Sequence, residues 1–360
     1  MRWDRHGGAL EARGQAGQAV VIFALVLLTI IAGTGLVLDT GYAFYQRRVA
    51  QNAADAAALA GAKYLAEHIG SAVPDAAVVA AMTPYVGANL SGAGLSGWYL
   101  DAAGNPVAPL GSGYVIPAVA PGGVPSVSGV QVSVGRPSPT FFMRVVGLGQ
   151  VVVQASATGR YGASSRLVYQ PANGPPILPM IFDASTLSQS LACTGGYSTT
   201  PFTFTLDITN PFSCSDKAAG FDWGTLNVCG GCNADSVTKD LLTPNGPYAN
   251  QTLDLSENIQ ISGGSRAVNF FNYVSQYWAG QTVIVPLVSH ADVLNDRCPN
   301  CDVPVQEFAY FHIVSADGKG SPKTLTGYWV DPATMPTLPG TNPATNPTPI
   351  TGPVTFSLTR

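Results

Sequence analysis

The twenty residues from Ala19 to Leu38 carry no charged side chain and read AVVIFALVLLTIIAGTGLVL. A helix rises about 1.5 Å per residue, so this segment would be about 30 Å long, the thickness of the hydrocarbon core of a bilayer. A buried helix of a soluble protein normally has a polar stripe, and none is visible here. The sequence therefore predicts a transmembrane helix over residues 19–38. The main alternative is a cleaved signal peptide, whose apolar part is usually only about 7–15 residues long.

The orientation of this helix is predicted from what lies on each side of it. The preceding tail, residues 1–18, is short and has three arginines, while Arg47 and Arg48 follow the span. This near balance of positive charge decides little by itself. All six cysteines, however, lie after the span. We expect a single-pass membrane protein whose N-terminus is cytoplasmic and whose C-terminal domains are extracytoplasmic or on the cell surface.

The composition favours a β-rich protein with many turns. Charged residues make up only 11% of the chain, while glycine (40) and proline (28) are both frequent. A net charge of −4 without a basic cluster argues against nucleic acid as a partner. The chain is also too apolar and too weakly charged to be a disordered polyelectrolyte.

The sequence lacks the common motifs of catalysis. There is no G-x-S-x-G elbow, H-E-x-x-H helix or P-loop, and the G-x-G-x-x-G string at 92–97 leads into a turn rather than a helix. The histidines His290 and His312 lie near predicted strands, where they are buried and hydrogen-bonded, exposed, or joined by a metal with Asp292 or Asp302. We favour the first two alternatives over the metal, and predict no enzymatic activity, no cofactor and no bound metal.

The apolar helix is predicted to continue beyond the membrane. No proline occurs between Asp39 and Pro74, and alanine, the best helix former, is frequent up to about His68. A single face of this rod carries short side chains at i, i+3, i+4 and i+7 positions. This small-residue face consists of Ala50, Ala53, Ala54, Ala57 and Gly61. It allows close packing either on the chain's own first domain or on a partner's helix.

Two blocks of the sequence resemble TadE/TadG-like proteins of the tight-adherence (Flp, type IVc) pilus machinery. The first block comprises Gly17–Leu25, Leu38-Asp39 and Arg47–Ala62, and the second comprises Pro139–Leu148 and Val151–Thr158. The second block resembles the region that closes the first domain in many of these proteins. The resemblance covers about residues 13–160, and it implies a single-span structural protein of pilus assembly.

The sequence departs from the type IV pilin pattern at one position. Pilins and TadE-like pseudopilins carry a glutamate five residues after the glycine at which a prepilin peptidase cuts. Here Gly17 is followed at that distance by Ile22. We therefore predict that the chain is not cut after Gly17 and that it is more similar to the anchored TadG type.

TadG-type proteins often contain a von Willebrand A-like domain with an Asp-x-Ser-x-Ser metal site. The nearest string in this chain begins Asp183-Ala184-Ser185, but Leu187 stands at the place of the second serine. We expect no metal site there.

The predicted fold is α+β: a transmembrane helix extended as a long rod, a pilin-like first domain and a β-rich, disulfide-containing second domain. The predicted parts are a cytoplasmic tail (1–18), a transmembrane helix (19–38), a pilin-like extracytoplasmic domain (39–165), a linker (166–180), a β-rich cysteine-containing domain (181–335) and a Pro/Thr-rich tail (336–360). In the first domain, Val130, Val132 and Val134 alternate with polar residues, which is typical of a half-buried strand. Strands of the second domain are predicted at 202–206, 221–228, 283–288, 308–314 and 325–330, with a helix at 265–278.

The six cysteines are Cys193, Cys214, Cys229, Cys232, Cys298 and Cys301. The last four form two C-x-x-C pairs, which in a cytosolic protein would indicate a zinc ribbon. Outside the cytoplasm an even number of cysteines favours disulfides, with structural zinc or a redox pair as alternatives. We favour a bridge between the first two cysteines, while the other four close locally or cross between the pairs.

These features together predict a structural component of a tight-adherence pilus, which anchors the filament or assists its assembly at the membrane. Expected partners are other pilus proteins, namely pilins and an inner-membrane platform, with a homo-oligomer or filament as a further possibility. The alternative function is a membrane-anchored surface adhesin that binds glycan or protein ligands through the second domain. A secreted hydrolase is a third and weaker alternative.

Overall fold

The computed structural model has an α+β architecture, in which one long helix lies on a first sheet and a second sheet forms a separate core. It describes residues 11–168, 174–208, 212–214, 218–223, 239–240, 242–244, 252–261, 267–295, 302–319, 322–339, 343 and 349–359. Of the six cysteines, the four in the C-x-x-C pairs lie outside these residues, so zinc and disulfides remain alternatives there.

Helix α1 runs without interruption from Glu11 to Glu67. Its end agrees with the predicted rod, because no proline or glycine pair interrupts the alanine-rich part. The apolar side chains from Val20 to Leu38 are exposed, whereas beyond Gln46 one face is buried. The same helix therefore has two parts with different environments, an exposed apolar part and a part that packs on protein.

The first sheet has six strands in the order β16-β17-β6-β5-β2-β3. Their bounds are β2 Gly94–Leu100, β3 Pro106–Pro109, β5 Gly129–Pro139, β6 Gln150–Ala163, β16 Leu338–Pro339 and β17 Val354–Thr359. All neighbours are antiparallel except β16 and β17, which are parallel. A two-stranded ladder of β1 (Val73–Pro74) and β4 (Val115–Ile116) and helix α2 (Asp75–Asn89) complete this region.

The second half of α1 lies across strands β5, β6 and β17 and beside α2. The predicted alternation on β5 is observed, since Val130, Val132 and Val134 are all fully buried in the core under the helix. A long helix that packs on a sheet is the arrangement that the sequence predicted for this domain. Its likeness to a pilin stays a prediction.

The C-terminal segment differs from the predicted Pro/Thr-rich tail at 336–360. Strand β17 pairs with β6 over six residues, and Ile350, Val354 and Phe356 are buried in the core of the first sheet. The tail was predicted because proline, threonine and asparagine dominate the composition before Pro353. The composition gave no sign of the short strand that follows. This strand is buried because it pairs with β6, which lies almost 200 residues earlier in the chain.

The second sheet closes on itself. Its strands are β8 Met180–Asp183, β9 Phe202–Leu206, β10 Ala218–Trp223, β12 Asn258–Gln260, β13 Thr282–Val288, β14 Asp302–Asp317 and β15 Thr324–Trp329. Six of them pair in the cyclic order β14-β13-β8-β10-β9-β15, because β15 pairs with β14 as well as with β9. Strand β12 adds to the outer edge of β14. A closed ring of this kind leaves few free strand edges.

Aromatic side chains fill the interior of this ring. Phe182 packs edge-to-face on Phe204 and Trp329, at centroid distances of 5.3 and 4.9 Å. Along β13, Val283 and Val285 belong to this inner cluster, while Ile284 belongs to a second cluster on the outer side. The strand is therefore buried on both faces, which explains why it reads as a continuous apolar run.

Helices α3, α4 and α5 and a small ladder lie around the ring. Their bounds are α3 Ala184–Thr194, α4 Ala267–Tyr273, which continues as a π-helical turn over Val274–Trp278, and α5 His290–Asn295, with a ladder of β7 (Arg166–Val168) and β11 (Thr252–Asp254). The sequence-based strands at 202–206, 283–288 and 325–330 agree with β9, β13 and β15 within one residue, and the predicted helix at 265–278 agrees with α4 and its continuation.

The predicted linker at 166–180 is partly built into the fold. Residues Arg166–Val168 pair with β11, and the Arg166 guanidinium binds both carboxylate oxygens of Asp254 at 2.5 and 2.6 Å. Further on, Ile177 and Leu178 are buried, and Ile177 bridges to Ile284 of β13. The Pro/Gly content indicated a free linker. Instead, these two apolar side chains are buried in the hydrophobic clusters of the second sheet, so the end of the segment is packed.

One disulfide lies in this region. Cys193, in the last turn of α3, is bonded to Cys214, and their Cα atoms are 5.9 Å apart. This is the pairing that the sequence favoured, and it encloses β9.

Candidate functional site

The junction between the apolar part of α1 and the first sheet is the most distinctive site in the described part of the chain. Within that part, one helix, α1, is long and apolar enough to cross a membrane, and its candidate segment begins at Gln18. The exposed apolar residues end at Leu38, and the next residue, Asp39, is only 6% exposed. A carboxylate that follows an apolar span directly needs hydrogen-bond donors, because burial of an unpaired charge is costly.

Asp39 obtains these donors from a distant loop. One carboxylate oxygen accepts a hydrogen bond from the backbone N–H of Phe141 at 2.8 Å. The other accepts from the N–H groups of Phe142 and Met143 at 2.9 and 2.7 Å. These three N–H groups open a short 3₁₀ turn over Met143–Val146, so Asp39 acts as its cap from another element. We call this arrangement the Asp39 clamp.

The loop that Asp39 holds connects β5 to β6 and comprises residues 140–149. It is closed at its base by the backbone hydrogen bond from Thr140 to Gly149 at 3.1 Å, and the Thr140 hydroxyl also donates to the Leu148 carbonyl. Gly147 ends the 3₁₀ turn with φ of 91°, a conformation that favours glycine. The loop is therefore a defined structure on the helix.

Gly35 lets the loop reach the apolar part of α1. A Cβ atom built on Gly35 would overlap the side chain of Phe142, so the ring occupies the space that a larger residue would fill. About two turns further along the helix, Tyr42 packs edge-on against Phe141 with ring centroids 5.4 Å apart. The contact therefore spans about one helical turn on either side of Asp39.

The small-residue face lies above this junction, and the structure brings all five of its residues together. The four alanines are fully buried, and a Cβ on Gly61 would lie 2.8 Å from the Met82 sulfur and 2.9 Å from Val130. The face thus packs on α2 and on the chain's own sheet. Of the two alternatives that the sequence left open, own-domain packing is the one observed.

The residues considered for a metal do not converge. The imidazole of His290 pairs through Nδ1 with the carboxylate of Asp183, whose other oxygen caps α3 at the N–H of Ser185. His312 instead contacts the Thr282 hydroxyl at 3.0 Å, and burial lowers the pKa of its imidazole.

No group of three His, Cys, Asp or Glu side chains that could hold a metal occurs among the described residues. The carboxylate of Asp292 accepts a hydrogen bond from the side-chain amide of Gln306 at 3.5 Å. Leu187, at the position of the second serine of the Asp-x-Ser-x-Ser string, is 2% exposed and belongs to the inner core. The string therefore serves to cap and pack α3.

Comparison with known proteins bears on the junction directly. Residues 17–63 match the family model described as "Putative Flp pilus-assembly TadE/G-like". Over these residues the N-terminal helix is similar to TadE/G-like proteins. The matched segment contains Gly35, Asp39 and the whole small-residue face, that is, the helix side of the junction. The second block of the resemblance, at 139–158, lies beyond the match and stays a prediction. No curated protein and no solved structure matches the chain.

Sequence reasoning did not predict the Asp39 clamp. Leu38-Asp39 and the Pro139–Leu148 block were both singled out, but as two separate parts of a resemblance. An isolated acidic residue at the end of an apolar span was the available signal, because such a carboxylate must find donors nearby.

Proposed function

We propose that this chain is a structural component of a Flp-type pilus system, which anchors the filament or assists its assembly at the membrane. The observation that carries the proposal is the TadE/G-like match over residues 17–63. Residues 19–38 would cross the membrane, the tail before them would stay in the cytoplasm, and both sheets would lie outside. The protein would act through contacts and not through catalysis.

The geometry of the junction supports an anchoring role. One uninterrupted helix joins the candidate span to the first sheet, and two sets of contacts fix the sheet to that helix. The Asp39 clamp holds the sheet at one end, and the small-residue face holds it higher up. The sheet therefore cannot swing freely on the span, which suits a protein that sets the position of other subunits relative to the membrane.

The expected partners are pilins and the inner-membrane platform of the same system. The exposed apolar side chains of residues 20–38 surround the helix on all sides, so a partner's span could pack on it within the bilayer. A second copy of this chain could pack in the same way, giving a homo-oligomer or a filament.

Loss of pili in a deletion strain tests the main proposal. In the strain that encodes this chain, deletion of its gene should remove Flp pili counted by electron microscopy, and the full-length chain should restore them. Affinity purification of the tagged full-length chain in mild detergent should recover pilins or platform proteins. Normal pilus number in the deletion strain, with the neighbouring genes still expressed, would contradict the proposal.

Retention of the N-terminal tail follows from the proposed anchoring role. Because Ile22 stands at the position of the pilin glutamate, we expect prepilin peptidase to leave Gly17 joined to Gln18. N-terminal sequencing of the protein extracted from membranes checks this, and a mature chain that begins at Gln18 would refute it.

A surface adhesin remains the second candidate function. One observation favours it: Tyr277 is partly exposed and stacks parallel to Tyr273, with ring centroids 6.3 Å apart, an arrangement that could contact a sugar ring. Against it, Trp278 and Trp329 are buried in the inner core. Glycan-array binding by the full-length chain that is lost in Tyr277→Ala would favour the adhesin. Absence of binding would leave the pilus role as the better explanation.

A further inference from the structure

The 140–149 loop lies at the level of the candidate membrane span. Phe142 occupies the space beside Gly35, which is three residues before the end of the apolar stretch at Leu38. At about 1.5 Å per residue, Gly35 lies about 5 Å inside the end of the span. If residues 19–38 fill the hydrocarbon core, the loop beside Gly35 must enter the membrane as well.

The exposed side chains of the loop suit such a position. Phe141 is 61% exposed although it is aromatic, and Phe142 and Leu148 are also exposed. On the adjoining turns of α1, Phe44 and Tyr45 are exposed, and Tyr42 packs on Phe141. Tyrosines at the end of a span are typical of the membrane–water interface, and phenylalanine rings are apolar enough for the acyl chains beside it. Such a cluster is otherwise unusual on a surface that faces water.

The polar groups of the loop are also compatible with lipid. The backbone N–H groups of residues 141–143 are satisfied by Asp39, and those of Thr140, Gly147 and Leu148 bond to carbonyl groups of the same loop, so these donors need no partner from the lipid. In lipid every backbone polar group needs such a partner. Arg144 is exposed on the same loop and can reach a lipid phosphate.

We infer that the 140–149 loop is seated in the bilayer, with Phe141 and Leu148 among the upper acyl chains and Arg144 at the headgroups of the leaflet that faces the first sheet. The partner is the lipid itself. The surface is continuous with the candidate span, since the loop packs on Gly35 of that helix. The inference rests on the membrane-anchoring part of the proposed function. It adds a second point of attachment, which fixes the tilt of the first sheet on the membrane.

Fluorescence quenching in vesicles tests this inference on the full-length chain. Phe141 or, separately, Leu148 is replaced by p-azidophenylalanine, coupled to an NBD dye, and the protein is reconstituted in phosphatidylcholine vesicles. The control position is Val124, which is also exposed but lies beside the far end of α1, since Ile350 bonds to Gly123 and Val119 to Ile69. The dye is then quenched either by iodide in water or by lipids with a nitroxide near the glycerol end of the acyl chain.

We expect nitroxide lipids to quench the dyes at 141 and 148 several-fold more than the dye at 124, and iodide to show the opposite order. Equal access of iodide to all three positions would overturn the inference. Protection from iodide without quenching by nitroxide lipids would also overturn it, because protein would then cover the loop. Flotation of the vesicles separates the two levels of failure. A chain that floats with an aqueous loop refutes only the seating of the loop, whereas a chain that does not float refutes the membrane anchor and the seating together.

Discussion

Gly159 of strand β6 lies directly against the backbone of Ala58 on the long helix. A Cβ atom at position 159 would overlap the Ala58 carbonyl group and would lie 3.0 Å from the Cβ of Ala62. Helix and sheet therefore approach as closely as their backbones allow. This contact explains why the rod is rich in alanine: longer side chains would separate the helix from the sheet to which it is attached.

Replacement of Gly159 by alanine should lower the stability of the first sheet and of the helix that packs on it. The added methyl group meets backbone atoms, which cannot move aside, and overpacking of this kind costs about 1–3 kcal/mol. Thermal unfolding of the purified full-length chain, with hydrogen exchange to locate the change, measures it. We expect faster exchange in β5 and β6 and little change in the closed ring of the second region.

Gly162→Ala is the matched control for this prediction. It lies on the same strand, but among the described residues its Cβ would have only Pro343 nearby, at 3.8 Å. Since alanine also reduces the entropy of the unfolded chain, this variant should be neutral or slightly stabilising. Equal stability of the two variants would mean that the contact with Ala58 is not tight in solution.

The Asp39 clamp gives a second prediction. Asp39→Ala removes the acceptor of three backbone N–H groups, and unsatisfied donors of this kind cost about 1–3 kcal/mol each unless water reaches them. Hydrogen exchange at residues 141–143 should become at least about tenfold faster, which corresponds to about 1.4 kcal/mol. Asp55→Ala is the control. In the described structure Asp55 accepts a hydrogen bond from the side chain of Gln51 on the same helix, and not from the 140–149 loop. Unchanged exchange at 141–143 would show that the loop is held without the carboxylate.

Local elements of this fold could be predicted from the sequence, but the contacts between distant elements could not. The alternation of Val130, Val132 and Val134 predicts β5 because a strand has period two, and the alanine content predicts the length of α1. By contrast, Asp39 meets Met143 across 104 residues, and Phe356 pairs with Tyr161 from the end of the chain. Neither contact leaves a periodic signal, so composition alone indicated a free tail at 336–360.

The candidate site follows the same division. The small-residue face was predicted from helical spacing. Its packing partner was not, because short side chains allow close packing equally well on a sheet of the same chain and on a helix of another protein. Closure of the second sheet was also not predictable, since it depends on β15 pairing with both β9 and β14. Aromatic residues such as Phe182 indicated that these strands are buried, but they did not indicate which strands pair or in what register.

The disulfide between Cys193 and Cys214 gives a third prediction. It closes a loop of 21 residues, for which the chain-entropy model gives about 3 kcal/mol. A chain with both Cys193→Ser and Cys214→Ser should unfold several degrees lower in its second region, and β9, which lies within the loop, should lose hydrogen-exchange protection first. An unchanged unfolding temperature, with thiol counting to show that both sulfurs are absent, would contradict this expectation.

A fourth prediction concerns pH and the connection between the two regions. Glu307 of β14 is largely buried, and the hydroxyl of Thr351, just before β17, donates to its carboxylate at 2.9 Å. Burial raises the pKa of the Glu307 carboxyl group above its ordinary value of 4.5, and the bond from Thr351 only partly opposes this. The Tyr197 hydroxyl lies close enough to Glu307 to interact, since burial, and then the charges of Asp331 and Glu307, raise the pKa of that hydroxyl.

The sign of the effect follows from the direction of the Glu307 shift. The folded state binds the proton more tightly than the unfolded state, so this group favours folding fully below about pH 4.5 and loses that contribution as the pH rises through the folded pKa.

The side chain of the Glu307→Gln variant cannot ionise, and its amide oxygen can still accept a hydrogen bond from Thr351. The variant should therefore be more stable than the natural chain at pH 7 to 8, and the difference should vanish toward pH 4. Denaturant unfolding of both full-length chains across this range measures it. Thr351→Val serves as the control that removes the hydroxyl, which also lies 2.8 Å from the Phe308 carbonyl oxygen, and it should be less stable at every pH. A Glu307→Gln variant that is less stable than the natural chain at neutral pH would show that the ionised carboxylate stabilises the connection, contrary to the burial argument.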